Sequence, residues 1–272
     1  MRKIVVLSSI AVILAGAWWF NGPHGFSNML QQYVENKEFM TLKARYTPEQ
    51  IMDTHRKELL IDSQHSFQEP ELKFHPYLLL EVKYFSPDKK SHEGIILWSL
   101  VDGEMVINTE TWEKTHGFED AINAGATRGD FKLMQAIAKQ KTAATLDQLQ
   151  KELHVEKEIL AQSIDSALSK QLIVQKGNSI QLHFQDPKIL VVPETKMTDW
   201  LVKKPYNYSQ LISGKYSSGQ ITKAAKAAFG EDFSIRSTSE VFVPVYSIHV
   251  NTPDGSTFTS YWNAINGKKE KK

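Results

Sequence analysis

The chain has 272 residues, of which 41% are hydrophobic and 23% charged, and its formal net charge is +1. A chain of this length holds about two domains. The near balance of 32 basic and 31 acidic side chains excludes a general attraction to nucleic acid or to an acidic membrane. Cysteine is absent, which excludes disulfides, thiolate metal sites and a cysteine nucleophile.

The N-terminus carries an apolar segment that predicts export. Arg2 and Lys3 precede residues 4–20, which contain no charge, and a membrane-spanning helix needs about 20 apolar residues. Ala15-Gly16-Ala17 has the small-residue pattern of a signal-peptide cleavage site. Residues 1–22 are therefore either a signal peptide or a retained membrane anchor. Both interpretations place the bulk of the chain on the non-cytoplasmic side of the membrane.

Residues 23–46 are predicted to form a linker with a helical stem over residues 29–45. Residues 47–127 follow as a first module, in which Thr47 caps a helix and Gln50 stands at the capping-box spacing. Strands are predicted over residues 73–85, 94–101 and 105–109, with a turn at 86–89 and a two-residue hairpin turn at Asp102-Gly103. The pattern indicates a helix followed by an antiparallel meander.

Residues 128–186 have a different pattern, with three helices followed by a hairpin around Gly177-Asn178. This order resembles a winged-helix domain, which implies a third helix able to enter the DNA major groove. Its apolar stripe is predicted to include Ile159, Ile164, Leu168 and Leu172. The same helix carries Glu156, Glu158 and Asp165 and no arginine, which opposes binding to phosphates. We therefore expect a role in protein contact or a purely structural one, and no nucleic-acid binding.

Residues 187–216 are predicted to be a linker, 217–268 a second helix-plus-meander module that starts at Ser217, and 269–272 a basic tail. Landmarks of the two modules match in order: Thr47 with Ser217, Pro76 with Pro244, Pro87 with Pro253, Trp98 with Trp262 and Gly103 with Gly267. The spacing between matched positions changes in steps of two, which is the strand period. The predicted fold class is therefore α+β, with two helix-plus-antiparallel-meander modules, an internal repeat, flanking a winged-helix three-helix domain behind an N-terminal membrane segment.

The second module resembles a PepSY domain over residues 220–268. Those domains end on a D-A-x-x-G turn, which Asn263-Ala264-Ile265-Asn266-Gly267 matches with Asn in place of Asp. The first module keeps only Asp102-Gly103 of that turn. The resemblance implies an exported module that modulates peptidases or other envelope partners without catalysis. Residues 94–138 also resemble an uncharacterised exported protein of chlamydia-type bacteria, which implies no function.

No pattern in the chain indicates a catalytic, cofactor-binding or metal-binding site. The nine histidines show no H-E-x-x-H and no paired ligand spacing, and Ser213-Gly214-Lys215 lacks the upstream glycine of a phosphate-binding loop. Glu110, Glu113, Glu119 and Asp120 are interpreted as a solvated helix-capping cluster rather than a catalytic carboxylate pair. We therefore predict that the protein is not an enzyme and uses neither cofactor nor small-molecule substrate.

These patterns predict an exported, membrane-tethered protein of the cell envelope, with residues 4–20 in the membrane. It is expected to bind another envelope protein as scaffold, inhibitor or folding aid, through residues that the sequence does not identify. The alternative is a membrane-linked winged-helix transcription regulator. That function requires the opposite topology, with the winged helix in the cytoplasm, and a basic recognition surface.

Overall fold

The computed structural model describes residues 38–86, 88–140, 143–205 and 210–270. In this part of the chain there are eleven strands and seven helices. The strands are β1 (Glu38–Leu42), β2 (Ser66–Phe67), β3 (Glu71–Phe85), β4 (Ser91–Ser99), β5 (Met105–Asn108), β6 (Glu113–Lys114), β7 (Ile173–Lys176), β8 (Ser179–Leu182), β9 (Leu201–Pro205), β10 (Phe233–Asn251) and β11 (Thr257–Asn263). The helices are α1 (Pro48–Thr54), α2 (Arg56–Leu59), α3 (Phe118–Asn123), α4 (Arg128–Lys139), α5 (Leu146–Leu153), α6 (Lys157–Ser169) and α7 (Ser218–Phe229).

Nine of the described strands form one sheet in the order β6-β5-β4-β3-β10-β1-β9, with β2 and β11 also paired to β10. The two longest strands, β3 and β10, lie side by side and antiparallel, with Tyr84 opposite Phe233 and Phe74 opposite Pro244. β1 runs parallel to β10, so the sheet is mixed. The remaining strands, β7 and β8, form a separate hairpin.

The predicted fold class, α+β with two helix-plus-meander modules flanking a winged-helix domain, is wrong. β3 comes from the predicted first module and β10 from the predicted second, yet they are neighbours at the centre of one sheet. The chain therefore has a mixed α/β fold dominated by this sheet. The sequence patterns describe neighbouring residues, so they could not show that two strands so far apart in the chain would pair.

The first and last helices each pack on the strands of the other end of the chain. Ile51 of α1 lies in one apolar cluster with Trp262 of β11, and Phe229 of α7 stands edge-on to Trp98 of β4 with ring centroids 6.5 Å apart. Backbone hydrogen bonds fix this exchange: Arg45 and Tyr46 donate to the carbonyl of Ala264 at 2.9 and 3.0 Å, and Lys215 and Tyr216 donate to the carbonyl of Leu100 at 2.7 and 2.9 Å.

The three helices and hairpin of residues 128–186 form in the predicted order, but they do not make a separate domain. Phe131 of α4 and Ile164 of α6 share one continuous apolar core with Leu80 of β3. These elements are therefore part of the layer that covers one face of the sheet. The predicted stripe of the third helix is wrong at its first position, since Ile159 is exposed and the neighbouring Leu160 is buried.

The opposite face of the sheet is covered by irregular chain. Alternate residues of a strand point to opposite faces, so Tyr77 and Leu79 lie in a second core. Residues 195–198 cross this region, and the buried Thr195 hydroxyl accepts from Leu97 N–H at 2.9 Å and donates to the Val106 carbonyl at 2.6 Å. Thr195 thus bridges β4 and β5 and holds the crossing segment in place.

The N-terminal predictions fall only partly within the described residues. The predicted membrane segment, residues 4–20, lies outside them. The described end of the predicted helical stem is strand β1, because it joins the sheet between β10 and β9 and the Thr41 hydroxyl donates to the Phe242 carbonyl at 3.0 Å. Among the described residues, no helix combines the length and the apolar character needed to cross a bilayer.

Candidate functional site

A group of charged and aromatic side chains surrounds Lys114, where β6 meets the turn after β4 and the segment after β11. Lys114 is the last residue of β6, and around it stand residues from three other places in the chain. We call this group the Lys114 cluster; its members are Lys114, Asp102, Glu270, Tyr77, Trp112 and His75. The backbone around the cluster is tied across the molecule, since the Asn266 amide donates to the Thr111 carbonyl at 3.3 Å.

Lys114 is held by two carboxylates and two aromatic rings. Its ammonium lies 2.7 Å from an Asp102 oxygen and 3.8 Å from a Glu270 oxygen. It also stands 5.5 Å from the ring centre of Tyr77 and 6.0 Å from that of Trp112, within reach of a cation–π attraction. Glu270 is itself positioned by the Asn263 amide, which donates to it at 2.7 Å.

The protonation states of the cluster follow from its burial and its charges. Burial disfavours the Lys114 ammonium, but the phenol and the two carboxylates outweigh burial and raise the pKa of Lys114. Burial also opposes ionisation of Asp102, yet the Lys114 charge lowers the pKa of Asp102 below its ordinary value. Burial raises the pKa of Tyr77. Near neutral pH these three groups are therefore ammonium, carboxylate and phenol.

His75 lies beside this ion pair and stays neutral. Burial, and then the positive charge of Lys114, lower the pKa of His75 to about 4, although Asp102 acts in the opposite direction. A charged lysine is no nucleophile and a protonated tyrosine no base. The cluster is therefore suited to holding β6, the turn at Asp102 and the segment at Glu270 together by charge. Its protonation states do not suit proton transfer at neutral pH.

Two features of Trp112 are energetically unfavourable in this cluster. Its backbone φ is 56°, in the left-handed region that a bulky side chain rarely adopts, and such strain costs roughly 1–3 kcal/mol. Its indole Nε1–H is buried and has no hydrogen-bond partner among the described residues, which is itself unfavourable. The gain that offsets both is packing, since the ring meets Tyr77 edge-on at 5.8 Å.

A second buried charge, Glu104, organises the start of α3. One carboxylate oxygen accepts from the N–H groups of Gly117 and Glu119 at 2.9 and 3.0 Å. The other accepts from the Thr115 hydroxyl at 2.6 Å and from the N–H of Phe118 at 3.3 Å. Burial raises the pKa of Glu104, while these four donors act in the opposite direction. Glu104 thus caps α3 from outside the helix.

The acidic residues that the sequence analysis grouped together do not converge in the structure. Glu113 pairs with Lys188 at 3.0 Å, and Glu119 pairs with Lys215 at 2.8 Å. The capping group of α3 is Glu104, which the sequence analysis missed because it stands thirteen residues before Gly117. In the described part of the chain, no group of three or more His, Asp or Glu side chains is placed to hold a metal ion.

Among the described residues, three exposed apolar side chains lie on β4 and on the chain that leads to Thr195. Val192, Leu190 and Ile95 are 60%, 49% and 37% exposed. The chain that carries the first two is tied to β4 at Thr195, whose N–H donates to the Ile95 carbonyl at 2.7 Å. We call these three residues the Val192 patch. The sequence analysis did not identify it, because residues 187–216 were interpreted as a linker.

Comparisons with known proteins identify no relative of this chain. No family model matches the chain, and neither a curated protein nor a solved structure matches it. The functional proposal therefore depends on the residues described above and on the sequence patterns.

The pKa of His75 makes the stability of the fold depend on pH. The pKa of His75 is about 4 in the folded chain and 6.5 in the unfolded chain. Between these two pH values His75 is therefore protonated in the unfolded state and neutral in the folded state. The stability that depends on neutral His75 is therefore fully present above pH 6.5, and the free energy of unfolding falls as the pH drops toward 4. Between pH 7 and pH 5 we expect His75 alone to remove about 2 kcal/mol.

Urea unfolding of the wild type and of His75→Gln at several pH values measures this effect. The variant should lose about 2 kcal/mol less than the wild type between pH 7 and pH 5. His183→Gln, at an exposed histidine, is the control for loss of an imidazole from the surface. Parallel curves for the wild type and His75→Gln would contradict the prediction.

Proposed function

We propose that the protein is exported, is tethered to the membrane by residues 4–20, and binds another envelope protein as scaffold, inhibitor or folding aid. The apolar segment and its preceding basic residues support export. The PepSY resemblance of residues 220–268 supports a modulating role without catalysis. The observation that carries the binding role is the Val192 patch.

Grouped exposed apolar side chains mark sites of protein contact more often than isolated ones do, and Leu190 and Val192 stand two positions apart on the chain that Thr195 joins to Ile95. The Val192 patch lies on backbone that Thr195 fixes to β4 and β5, so a partner would meet a preformed surface. Preformed surfaces bind with a smaller loss of conformational entropy. This favours a specific protein partner at the patch.

The Lys114 cluster supports the absence of catalysis in this proposal. An acid–base site needs a group whose pKa lies near the working pH, and the shifts in the cluster move its lysine, tyrosine and histidine away from neutrality. The proposal is accordingly a binding protein in which the most strongly perturbed groups have a structural role.

The surface of α6 gives less support to the alternative function, a membrane-linked winged-helix regulator. The exposed side chains of this helix include Glu158, Ile159 and Asp165, and α6 contains no arginine. Two acids facing the phosphates would oppose duplex binding, and the bidentate guanine contact of arginine is missing. The observations on α6 therefore favour protein contact over DNA.

Photo-crosslinking in the source cells tests the proposed function. A photoreactive amino acid at Val192 should give a discrete adduct with a membrane or envelope protein, and Leu190→Glu should weaken that adduct several-fold. The same photoreactive residue at the exposed Ile61 is the matched control. Equal adducts at both positions, or none at Val192, would contradict binding at the patch. A cytoplasm-dependent reporter fused after Lys272 should stay inactive, and its activity would contradict export.

A further inference from the structure

We propose that the edge of the sheet at β9, together with the neighbouring β1, lies against the lipid headgroups of an anionic membrane. This inference depends on the proposed tether, since it concerns how the folded part sits once the N-terminal segment is anchored. It adds a second contact surface, separate from the Val192 patch, and its partner is phospholipid.

The most exposed tryptophan of the described residues stands at this edge. Trp200 is 79% exposed and immediately precedes β9, and Met40 of β1 is 38% exposed. The Lys43 N–H donates to the Trp200 carbonyl at 2.9 Å, which fixes the backbone of Trp200 beside β1. The indole itself has no role in the core of this fold, because it is exposed.

The charges around Trp200 are mainly positive. Lys203 is exposed and lies opposite Met40 in the ladder, and Lys43 is exposed one position beyond the end of β1. Lys204, opposite Phe39, places its ammonium 5.5 Å from the centre of the Phe74 ring. The nearby acid Asp199 is almost fully buried and pairs with Arg45 at 2.6 Å. Glu38, at the start of β1, is the exposed acid of this ladder. The local charge is thus complementary to anionic headgroups, although the whole chain is nearly neutral.

The position of this edge in the chain brings it close to the tether. β1 begins at Glu38, and the apolar segment ends at residue 20. Even a fully extended connection of that length spans only about 60 Å. β1 is the first described element after the membrane segment, and the connection is short enough for β1 and β9 to reach the bilayer surface.

Lysines and a proline on an edge strand also prevent unwanted strand pairing, and Lys203, Lys204 and Pro205 fit that role. It does not account for Trp200, since an exposed indole promotes association and does not protect an edge. Tryptophan is favoured at the membrane–water interface, where its apolar ring and its N–H are both accommodated. The combination of an indole with several lysines therefore fits a lipid headgroup layer.

The test uses the full chain in vesicles, and the absence of cysteine allows single labels. Trp200→Cys carries an environment-sensitive fluorophore, and Ile159→Cys, at an exposed apolar position on α6, is the control. The vesicles contain a nitroxide-headgroup lipid with about one third phosphatidylglycerol, or phosphatidylcholine alone. We expect several-fold stronger quenching at position 200 than at position 159 in anionic vesicles. Lys43→Glu with Lys203→Glu should reduce it by at least about five-fold.

Flotation of the vesicles separates the two proposals. A chain that does not float with the vesicles contradicts the tether and hence the proposed function. A chain that floats with equal quenching at positions 200 and 159 overturns the lipid contact alone. Quenching that is the same in both lipids also overturns it, because the lysines would then have no part. Protection of position 200 that rises with protein concentration in the absence of vesicles would assign this edge to a second copy of the chain and overturn the inference.

Discussion

Replacing Trp98 by alanine is expected to lower the free energy of unfolding by about 4 kcal/mol. Trp98 is fully buried, meets Phe118 edge-on at 4.9 Å, and donates its indole N–H to the Gly103 carbonyl at 2.7 Å. Alanine would leave a cavity between β4, α3 and α7 and an unpaired carbonyl at the turn. Urea unfolding followed by circular dichroism measures the loss.

Two further variants show whether the loss comes from this site. Trp98→Phe keeps an aromatic ring but removes the indole donor, so we expect an intermediate loss of about 1–3 kcal/mol. Trp200→Ala changes the same residue type on the surface and should alter stability by less than about 0.5 kcal/mol. A Trp98→Ala variant as stable as Trp200→Ala would show that the helix layer does not depend on this ring.

Replacing Glu104 by glutamine is expected to cost about 3 kcal/mol. Both carboxylate oxygens accept hydrogen bonds from buried or half-buried donors. Glutamine keeps one acceptor and turns an N–H₂ group toward the donors of the other oxygen, so at least two hydrogen bonds are lost. The loss should appear as a lower urea midpoint with an unchanged slope.

Glu113→Gln is the matched control, because it makes the same chemical change in an exposed ion pair with Lys188. Exposed pairs contribute about 0–1 kcal/mol, so this variant should stay close to the wild type. If Glu104→Gln and Glu113→Gln lose similar amounts, the capping of α3 by Glu104 contributes little to stability.

Local features of the fold could be predicted from the sequence. The capping box at Thr47 is confirmed, because it involves two residues three positions apart. Gly103 and Gly267 adopt positive φ, as turns of this kind require. These signals depend on the backbone of one turn, and the rest of the fold does not change them.

The arrangement of the strands could not be predicted in the same way. Pairing between β3 and β10, and the placing of Ile51 beside Trp262, depend on contacts between distant segments. β10 runs without a break through residues 236–240, which are polar and exposed. These residues continue the strand because β3 supplies the hydrogen bonds along one side, with a register shift between Ile235 and Ser237.

The Lys114 cluster was beyond sequence analysis for the same reason. His75, Asp102 and Glu270 come from a strand, a turn and the end of the chain, and each looks ordinary among its neighbours in sequence. The pKa shifts arise only when burial and the opposite charges are combined. A lysine between two aromatic residues, as at Trp112 and Tyr77, gives no local pattern either.

The central position of β10 has a consequence for the order in which the chain can fold. The ribosome makes β3 and β4 early and β10 late. β3 therefore has no partner on its β10 side until residues 100–232 and then β10 have been synthesised. During that interval β3 presents an unpaired edge rich in leucine, which invites wrong pairing with other chains. α7 also arrives late, so the layer over Trp98 stays incomplete. Nascent chains that stop before β10 should therefore be more sensitive to proteases at β3 and at the layer over Trp98 than the full chain is.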